Sequence, residues 1–345
     1  MEETLSIGIL GAGSWGMALA FVLGSKGYNV TVWSRRDEMV RELTRSHENK
    51  DKLPGVILPD TVGYTSDIET AVKDKDIILM VVPAAKTRET CKKIAPFVSI
   101  DQVIVTCSKG IEESTMLLVS EVIEDELDGR IQRGNVAVLS GPSHAEEVGR
   151  MMPTAIVVGA STASLARRLQ NIFMSKVFRV YISPDMTGIE LGGACKNVIA
   201  LAAGIADGLG YGDNTKAALI TRGITEITRL GMAAGGQAES FSGLTGIGDL
   251  IVTCASMHSR NRRAGILIGQ GKTPDEAMDE VHMVVEGVFS AKAALELARK
   301  YKVETPIIEQ VCEVLFNGKS AREAVADLML RDGKVENNTL SWPDE

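Results

Sequence analysis

Aromatic side chains are scarce in this 345-residue chain, where Phe, Tyr and Trp together make up 4%. That excludes a nucleic-acid binder that stacks bases on rows of aromatic faces. The net charge of −8 repels polyanions and anionic membranes, so an anionic ligand has to be drawn into a locally basic cleft. Cysteine is sparse too. Cys91, Cys107, Cys195, Cys254 and Cys312 are scattered, odd in number and never spaced Cys-x-x-Cys. This argues against a disulfide framework or a zinc site and suits a reducing compartment. They read as small buried residues, and no metal is expected. The histidines His47, His144, His258 and His282 lie in separate segments without a common constellation. Apolar runs are broken by Gly, Lys or Asp short of the ~20 residues a bilayer crossing needs. The opening Met1-Glu2-Glu3 leads into no basic-then-apolar stretch, so secretion is not expected. A cytoplasmic protein without a membrane span or nucleic-acid partner is the expectation.

What is present points to two domains, since the length exceeds what one core usually supports. The first half alternates short β-branched runs with helical patterns, the mark of a parallel sheet covered by helices. Strands are expected at 6–10, 30–33, 77–82, 103–106, 136–139 and 155–158. The run Ile77-Ile78-Leu79-Met80-Val81-Val82 suits a strand buried on both faces. Helical spacing takes over at 188–209, 215–233, 274–283 and 288–300, with no convincing strand. The expected α/β architecture is a doubly wound, Rossmann-like sheet domain over 1–185, a mainly helical domain over 186–335, and a polar tail over 336–345.

The first expected strand runs into Gly11-Ala12-Gly13-Ser14-Trp15-Gly16 and then into the helix-forming Met17-Ala18-Leu19-Ala20. A lone G-x-G-x-x-G is weak, but here strand, turn and helix fall where a dinucleotide fingerprint requires them. Gly11 permits the tight turn, Gly13 lets the backbone approach a pyrophosphate, and Gly16 allows helix and strand to touch. The phosphates then sit on a helix N-terminus, with Ser14 as a further donor. Trp15 is a further candidate for cofactor contact, and reads equally well as packing on the sheet. The second strand ends in Ser34-Arg35-Arg36 where a NAD site usually carries an acid. Two guanidinium groups there suit the 2′-phosphate of NADP, while the adjacent Asp37 leaves NAD open.

Four more segments stand out: Thr106-Cys107-Ser108-Lys109-Gly110, Leu139-Ser140-Gly141-Pro142-Ser143-His144-Ala145-Glu146, Gly192-Gly193-Ala194-Cys195-Lys196-Asn197, and Gly243-Leu244-Thr245-Gly246-Ile247-Gly248-Asp249-Leu250 followed by Ser259-Arg260-Asn261. With the fingerprint, in this order and spacing, the chain resembles the NAD(P)-dependent glycerol-3-phosphate dehydrogenase family in its bacterial form, over essentially its whole length. The resemblance implies hydride transfer between NAD(P)H and dihydroxyacetone phosphate, giving sn-glycerol 3-phosphate, a precursor of glycerophospholipids. A homodimer is possible.

Oxidising a secondary alcohol needs a group that takes the hydroxyl proton, and the reverse reaction needs it returned. Lys196 is the candidate, because a charged side chain inside the small, apolar stretch Ala194 to Ala203 is otherwise unexplained. Burial and a second cation both lower a lysine pKa, and the resemblance supplies Lys109 as that cation. Alone, Lys109 reads as readily as a surface lysine. Asp249 by itself reads as a helix N-cap; the resemblance moves it beside Lys196, with Asn197 orienting the pair or the substrate. Ser259, Arg260 and Asn261 open a helix, with Ser259 as its cap, and the first-turn N–H groups and the Arg260 guanidinium suit a phosphate there. Arg262 and Arg263 are expected to be solvated. By resemblance Gly141 and Ser143 contact substrate, while Lys109, Ala145, Arg260, Val284 and Glu286 reach the cofactor. Glu286 otherwise reads as a helix-surface carboxylate. The rival readings are a 2-keto-acid or β-hydroxyacid reductase, which needs a carboxylate clamp in place of the phosphate site, and a nucleotide-sensing module without turnover.

The basic end of the second strand yields a test of cofactor choice. NADPH is expected to serve at least as well as NADH, with the preference weakening as salt rises. Replacing Arg35 and Arg36 together by uncharged residues should weaken NADPH by roughly ten- to a hundredfold, at about a kcal/mol or more per contact, and leave NADH nearly unchanged. Paired measurements of the two Michaelis constants decide it: equal losses mean general support of the adenine pocket, and a wild-type enzyme blind to NADPH overturns the reading.

Overall fold

The run Ile77–Met80 is buried at every residue, as a strand covered on both faces must be. In the computed structural model, which describes residues 5–333, 335 and 336, it is a central strand of one eight-stranded sheet. The strands are β1 (Ser6–Leu10), β2 (Asn29–Trp33), β3 (Val62–Thr65), β4 (Ile77–Met80), β5 (Val103–Thr106), β6 (Val136–Ser140), β7 (Thr154–Ala160) and β8 (Phe178–Ser183). Their order is β3-β2-β1-β4-β5-β6-β7-β8. Every neighbouring pair is parallel except β6 with β7.

Three features depart from the sequence reading. The edge strands β3 and β8 were not expected. β3 is four residues including Gly63, and β8 alternates buried and exposed residues, so neither carries the continuous apolar run that marks the inner strands. The third departure is the reversal at β7. The connection 141–153 contains only the five-residue helix Ala145–Gly149 and does not cross a face of the sheet. It stays at the carboxyl end of β6, where open α/β sheets bind ligands.

After β8 the described residues form only helices. The observed Met186–Gly208, Asp213–Ala233, Pro274–Val281 and Glu286–Tyr301 match the expected periodic segments to within a few residues. Asp185 starts the first of these by accepting from Gly188 N and also holds Gln237 N and Ser240 Oγ. Met186–Gly208 is long and apolar enough to cross a bilayer, yet its most apolar 18-residue stretch is wholly enclosed by protein. It is the axis of the helical half, and one side packs on the sheet through Ile189, Val138 and Val157. The polar tail expected over 336–345 lies, beyond Glu336, outside the described residues.

The other side of this core helix is defined by absent side chains. A Cβ on Gly204 would lie 2.2 Å from Arg262 O, and one on Gly265 2.2 Å from Leu201 O. The core helix and the helix Arg260–Gly269 therefore meet backbone to backbone, closer than any larger residue permits. Gly287 does the same for Glu286–Tyr301, where a Cβ would come within 2.6 Å of Asn197 O. Gly204→Ala is expected to cost about 1–3 kcal/mol through overpacking at an unyielding contact and to raise the Michaelis constant for the phosphorylated substrate. Denaturant unfolding together with initial rates checks both, and wild-type stability would mean that the crossing relaxes freely.

Candidate active site

Each fingerprint glycine meets a different constraint. Gly11 has φ +127°, and a Cβ there would sit 2.8 Å from Val81 O, so the turn out of β1 admits only glycine. A Cβ on Gly16 would lie 1.9 Å from Gly11 O, whereas one on Gly13 meets nothing within 4 Å. The turn is thus packed at its first and third glycines and open at the second, where a pyrophosphate needs room. Asn49 Nδ2 fixes it by donating to Ala12 O at 2.9 Å. Ser14 begins the helix Ser14–Gly24, and Trp15 packs partly against the sheet core, in line with its blander reading. Arg35 and Arg36 are exposed at the end of β2, beside the turn, since Gly11 N donates to Trp33 O.

The second cluster joins chain segments that are far apart in sequence. Lys109, just past β5, donates to Gly141 O at 3.0 Å and to Asp249 Oδ2 at 2.7 Å. Lys196, in the middle of the core helix, donates to Asp249 Oδ1 and to Thr253 Oγ1, the latter at 2.8 Å. Asp249 is 1% exposed and Lys196 5%. Burial pushes Lys196 down to about 7; Asp249 opposes that fall and the Lys109 charge adds to it. Burial acts to raise Asp249, but the two ammonium groups override it and hold the carboxyl below its ordinary range. Asp249 caps no helix. The segment read as a glycine-rich turn is a π-helical turn, Leu244–Gly248, continuing into the helix Asp249–Ala255, and this aims the carboxylate at the lysines. Thr253 was missed from sequence. One turn after Asp249, it donates to the Asp249 carbonyl at 2.6 Å and so turns a lone pair toward Lys196; its i+4 spacing from Asp249 was the available signal.

Asn197 Oδ1 accepts from Asn261 Nδ2 at 2.9 Å, and Asn261 Oδ1 accepts from Gly287 N at 2.8 Å. The Asn261 side chain thus joins three helices, and its main-chain N–H lies in the first turn of Arg260–Gly269. Asn197 Nδ2 has only a long 3.4 Å contact to Gly193 O. Ser259 caps Arg260–Gly269 by accepting from Arg262 N, as the sequence indicated, which leaves its hydroxyl proton to donate. Arg262 is not solvated: Asp207 takes its guanidinium at 2.8 Å, and Ala255 O takes another N–H. Arg263 reaches Val281 O at 3.3 Å. These anchors leave Arg260, which touches Val284 O at 3.2 Å, as the guanidinium available to an anion.

Glu286 is not a free surface carboxylate. It accepts from the Ala84 backbone after β4, and burial raises it to about 7 against the pull of Arg260, so it bridges the sheet and helical halves. Ala145 is buried in the first turn of Ala145–Gly149, and Ser143 Oγ donates to Gly141 O at 2.9 Å. Gly141 itself has φ +144°. The histidines, expected to stay apart, include one pair: the His144 and His258 rings approach to 5.8 Å. Burial first and the Lys196 charge second hold His144 below the ordinary imidazole range. Buried Ser140 Oγ and His144 Nε2 have no hydrogen-bond partner among the described residues, two polar atoms that a bound molecule would satisfy.

A dinucleotide turn after β1, with a buried lysine brought to about 7 in a cluster that Lys109 joins from just past β5, the carboxyl end of another strand of the same sheet, defines a nicotinamide-dependent dehydrogenase. Comparison with known proteins narrows the class. A family model described as the N-terminus of NAD-dependent glycerol-3-phosphate dehydrogenase matches residues 6–166, and its C-terminal counterpart matches residues 185–326. The chain is 59% identical to a glycerol-3-phosphate dehydrogenase (NAD(P)+) of Agathobacter rectalis over 97% of its own length and 99% of that protein's. It is 57% identical to one of Fusobacterium nucleatum, over 98% of its length and all of the relative's. The crystal structure of glycerol-3-phosphate dehydrogenase from Coxiella burnetii superposes with a TM-score of 0.91 at 38% identity, covering 95% of this chain and 99% of that one. The chain belongs to the NAD-dependent glycerol-3-phosphate dehydrogenase family. A ketopantoate reductase from Ralstonia eutropha, 15% identical with a TM-score of 0.62 over 94% of this chain and all of its own, shares the fold alone.

The charge cluster can be tested without turnover. Asp249→Asn removes the anion that raises Lys196 and keeps the burial and the Lys109 charge that lower it. The Lys196 midpoint, followed by NMR of isotopically methylated lysines, is expected to fall below about 7. An unchanged midpoint would mean that another anion faces the ammonium.

Proposed function

We propose that the chain interconverts sn-glycerol 3-phosphate and dihydroxyacetone phosphate, with Lys196 as the acid–base group. The observation that carries this is the burial of Lys196 where it bonds Asp249 and Thr253: burial, helped by the Lys109 charge, brings it down to about 7 against the pull of Asp249. Gly11, Gly13, Ser14 and Gly16, with Arg35 and Arg36 at the ribose end and Ala145, Val284 and Glu286 toward the helical half, would hold NADP or NAD, which when bound would supply the hydride acceptor and donor.

In the oxidising direction neutral Lys196 takes the C2 hydroxyl proton, while Lys109 donates to the same oxygen and stabilises its developing charge. In the reducing direction the Lys196 ammonium returns a proton to the carbonyl oxygen. Asp249 bonds both ammonium groups, so it directs the two lysines to one point and offsets their charge in a site where water screens little. The spare N–H of Asn197 and the Gly141–Ser143 turn orient the carbon skeleton. The substrate phosphate falls to the N-terminus of Arg260–Gly269, where the Ser259 hydroxyl, the Arg260 guanidinium and the first N–H groups converge. This phosphate site favours a phosphorylated triose over the unphosphorylated 2-keto acids of the rival reading. Within this reading the enzyme works in the cytoplasm.

Lys196→Ala is expected to lower turnover by roughly a hundred- to ten-thousandfold, with the dissociation constant of the dinucleotide unchanged. In the wild type, reduction of dihydroxyacetone phosphate should slow as pH rises through about 7, because the proton donor is lost, and oxidation should accelerate over the same range. Spectrophotometric rates with NADH and NADPH, set against the same assay with 2-keto acids, test both. Near-normal turnover in the variant would reassign the base, and a preference for 2-keto acids would remove the phosphate site from the reading.

A further inference from the structure

Glu190 takes no part in the chemistry above, yet it is 5% exposed on the core helix. Buried carboxylates are costly unless hydrogen-bonded, and the donors to this one come from the other half of the molecule. Its Oε1 accepts from Ser120 N at 3.0 Å, and its Oε2 accepts from Ser120 Oγ. Ser120 lies in the first turn of the helix Val119–Glu126, whose preceding residue, Leu118, has no side chain able to cap. Glu121 satisfies Leu118 N at 2.7 Å, and Glu190 satisfies another first-turn N–H, that of Ser120, from across the interface.

The start of that helix is tied to Lys109. Ile111 and Leu118 pair in an isolated β-bridge. Within it Glu112 N donates to Leu117 O at 2.9 Å, and Met116 N donates to Glu112 O at 2.8 Å. This closed hairpin begins two residues after Lys109 and ends two before Ser120. Arg88 locks it from outside by bonding Glu112 in the hairpin together with Asp125 and Glu126 in the helix. Residues 109–126 thus form one braced unit. Glu190 precedes Lys196 by six residues on one continuous helix, roughly 9 Å along its axis.

We propose that Glu190 and Ser120 are positioning residues, whose clasp sets the register of the Lys109 segment against the core helix so that both lysines meet Asp249. The proposal rests on the reading of Lys109 and Lys196 as the reacting pair. What the clasp needs is two hydrogen bonds. Gln at 190 supplies both, with its oxygen accepting from Ser120 N and its amide donating to Ser120 Oγ; Ala supplies neither.

The test is a double-mutant cycle on the full-length enzyme with dihydroxyacetone phosphate and NADPH. Glu190→Ala and Ser120→Ala are each expected to lower kcat by on the order of ten- to a hundredfold, the scale of a small misplacement of a reacting group. The dissociation constant of NADPH should stay put, and Glu190→Gln should restore kcat to within about threefold of wild type. In a Lys109→Met background, removing the Ser120 hydroxyl or the Glu190 carboxylate should change kcat by less than about twofold, because residues acting through one group do not add. Should Glu190→Ala fail to fold, Ser120→Ala, which removes one hydroxyl, completes the cycle. Full additive loss in the Lys109→Met background, or wild-type kcat in Ser120→Ala, overturns the clasp while leaving the site reading standing. Wild-type kcat in Lys109→Met itself overturns the site reading and the clasp with it.

Discussion

A carboxylate enclosed between two ammonium groups is the constraint on which the rest of this structure depends. Taking Lys109, Asp249 and Lys196 out of water is unfavourable for each charge, and only their mutual proximity offsets that loss. With Asp249 ionised and Lys109 charged, the cluster is neutral when Lys196 has given up its proton and carries one positive charge when it has not. A poorly solvated site favours the neutral state. This is why Lys196 sits near 7 although a carboxylate touches it.

Such a cluster requires three distant parts of the chain to be held to within a hydrogen-bond length, and the fold does this with backbone contacts. Glycines at 204, 265 and 287 let three helices meet without intervening side chains. The Asn197–Asn261–Gly287 relay then fixes their rotation. On the sheet side, the reversal at β7 keeps the Gly141–Ser143 turn at the carboxyl end of β6, where Gly141 O accepts from Lys109. Helix packing and sheet topology thereby converge on the same ammonium groups.

The shared architecture with a ketopantoate reductase at 15% identity shows how little the fold alone says about substrate. The discriminating features are local. Asp207 neutralises Arg262 and the Val281 carbonyl holds Arg263, so a run of three arginines presents essentially one of them, Arg260, at a helix start already capped by Ser259.

Much was legible in the sequence because it rests on short-range chemistry. The glycine fingerprint, the inner strands with continuous apolar runs, the helical periodicity after residue 186 and the Ser259 cap each depend on a few neighbouring residues, and the order of the motifs was enough to expect the family. The edge strands were not legible, since β3 and β8 carry no run of buried residues and their pairing is set by β2 and β7. The resemblance implied Asp249 beside Lys196, but nothing in the sequence showed that Asp249 also bonds Lys109 and caps no helix, that Arg262 is held by Asp207, or that His144 meets His258. A side chain's local pattern sets its secondary structure, but which charges share one water-poor space depends on contacts between residues tens to more than a hundred positions apart, and only tertiary packing makes those.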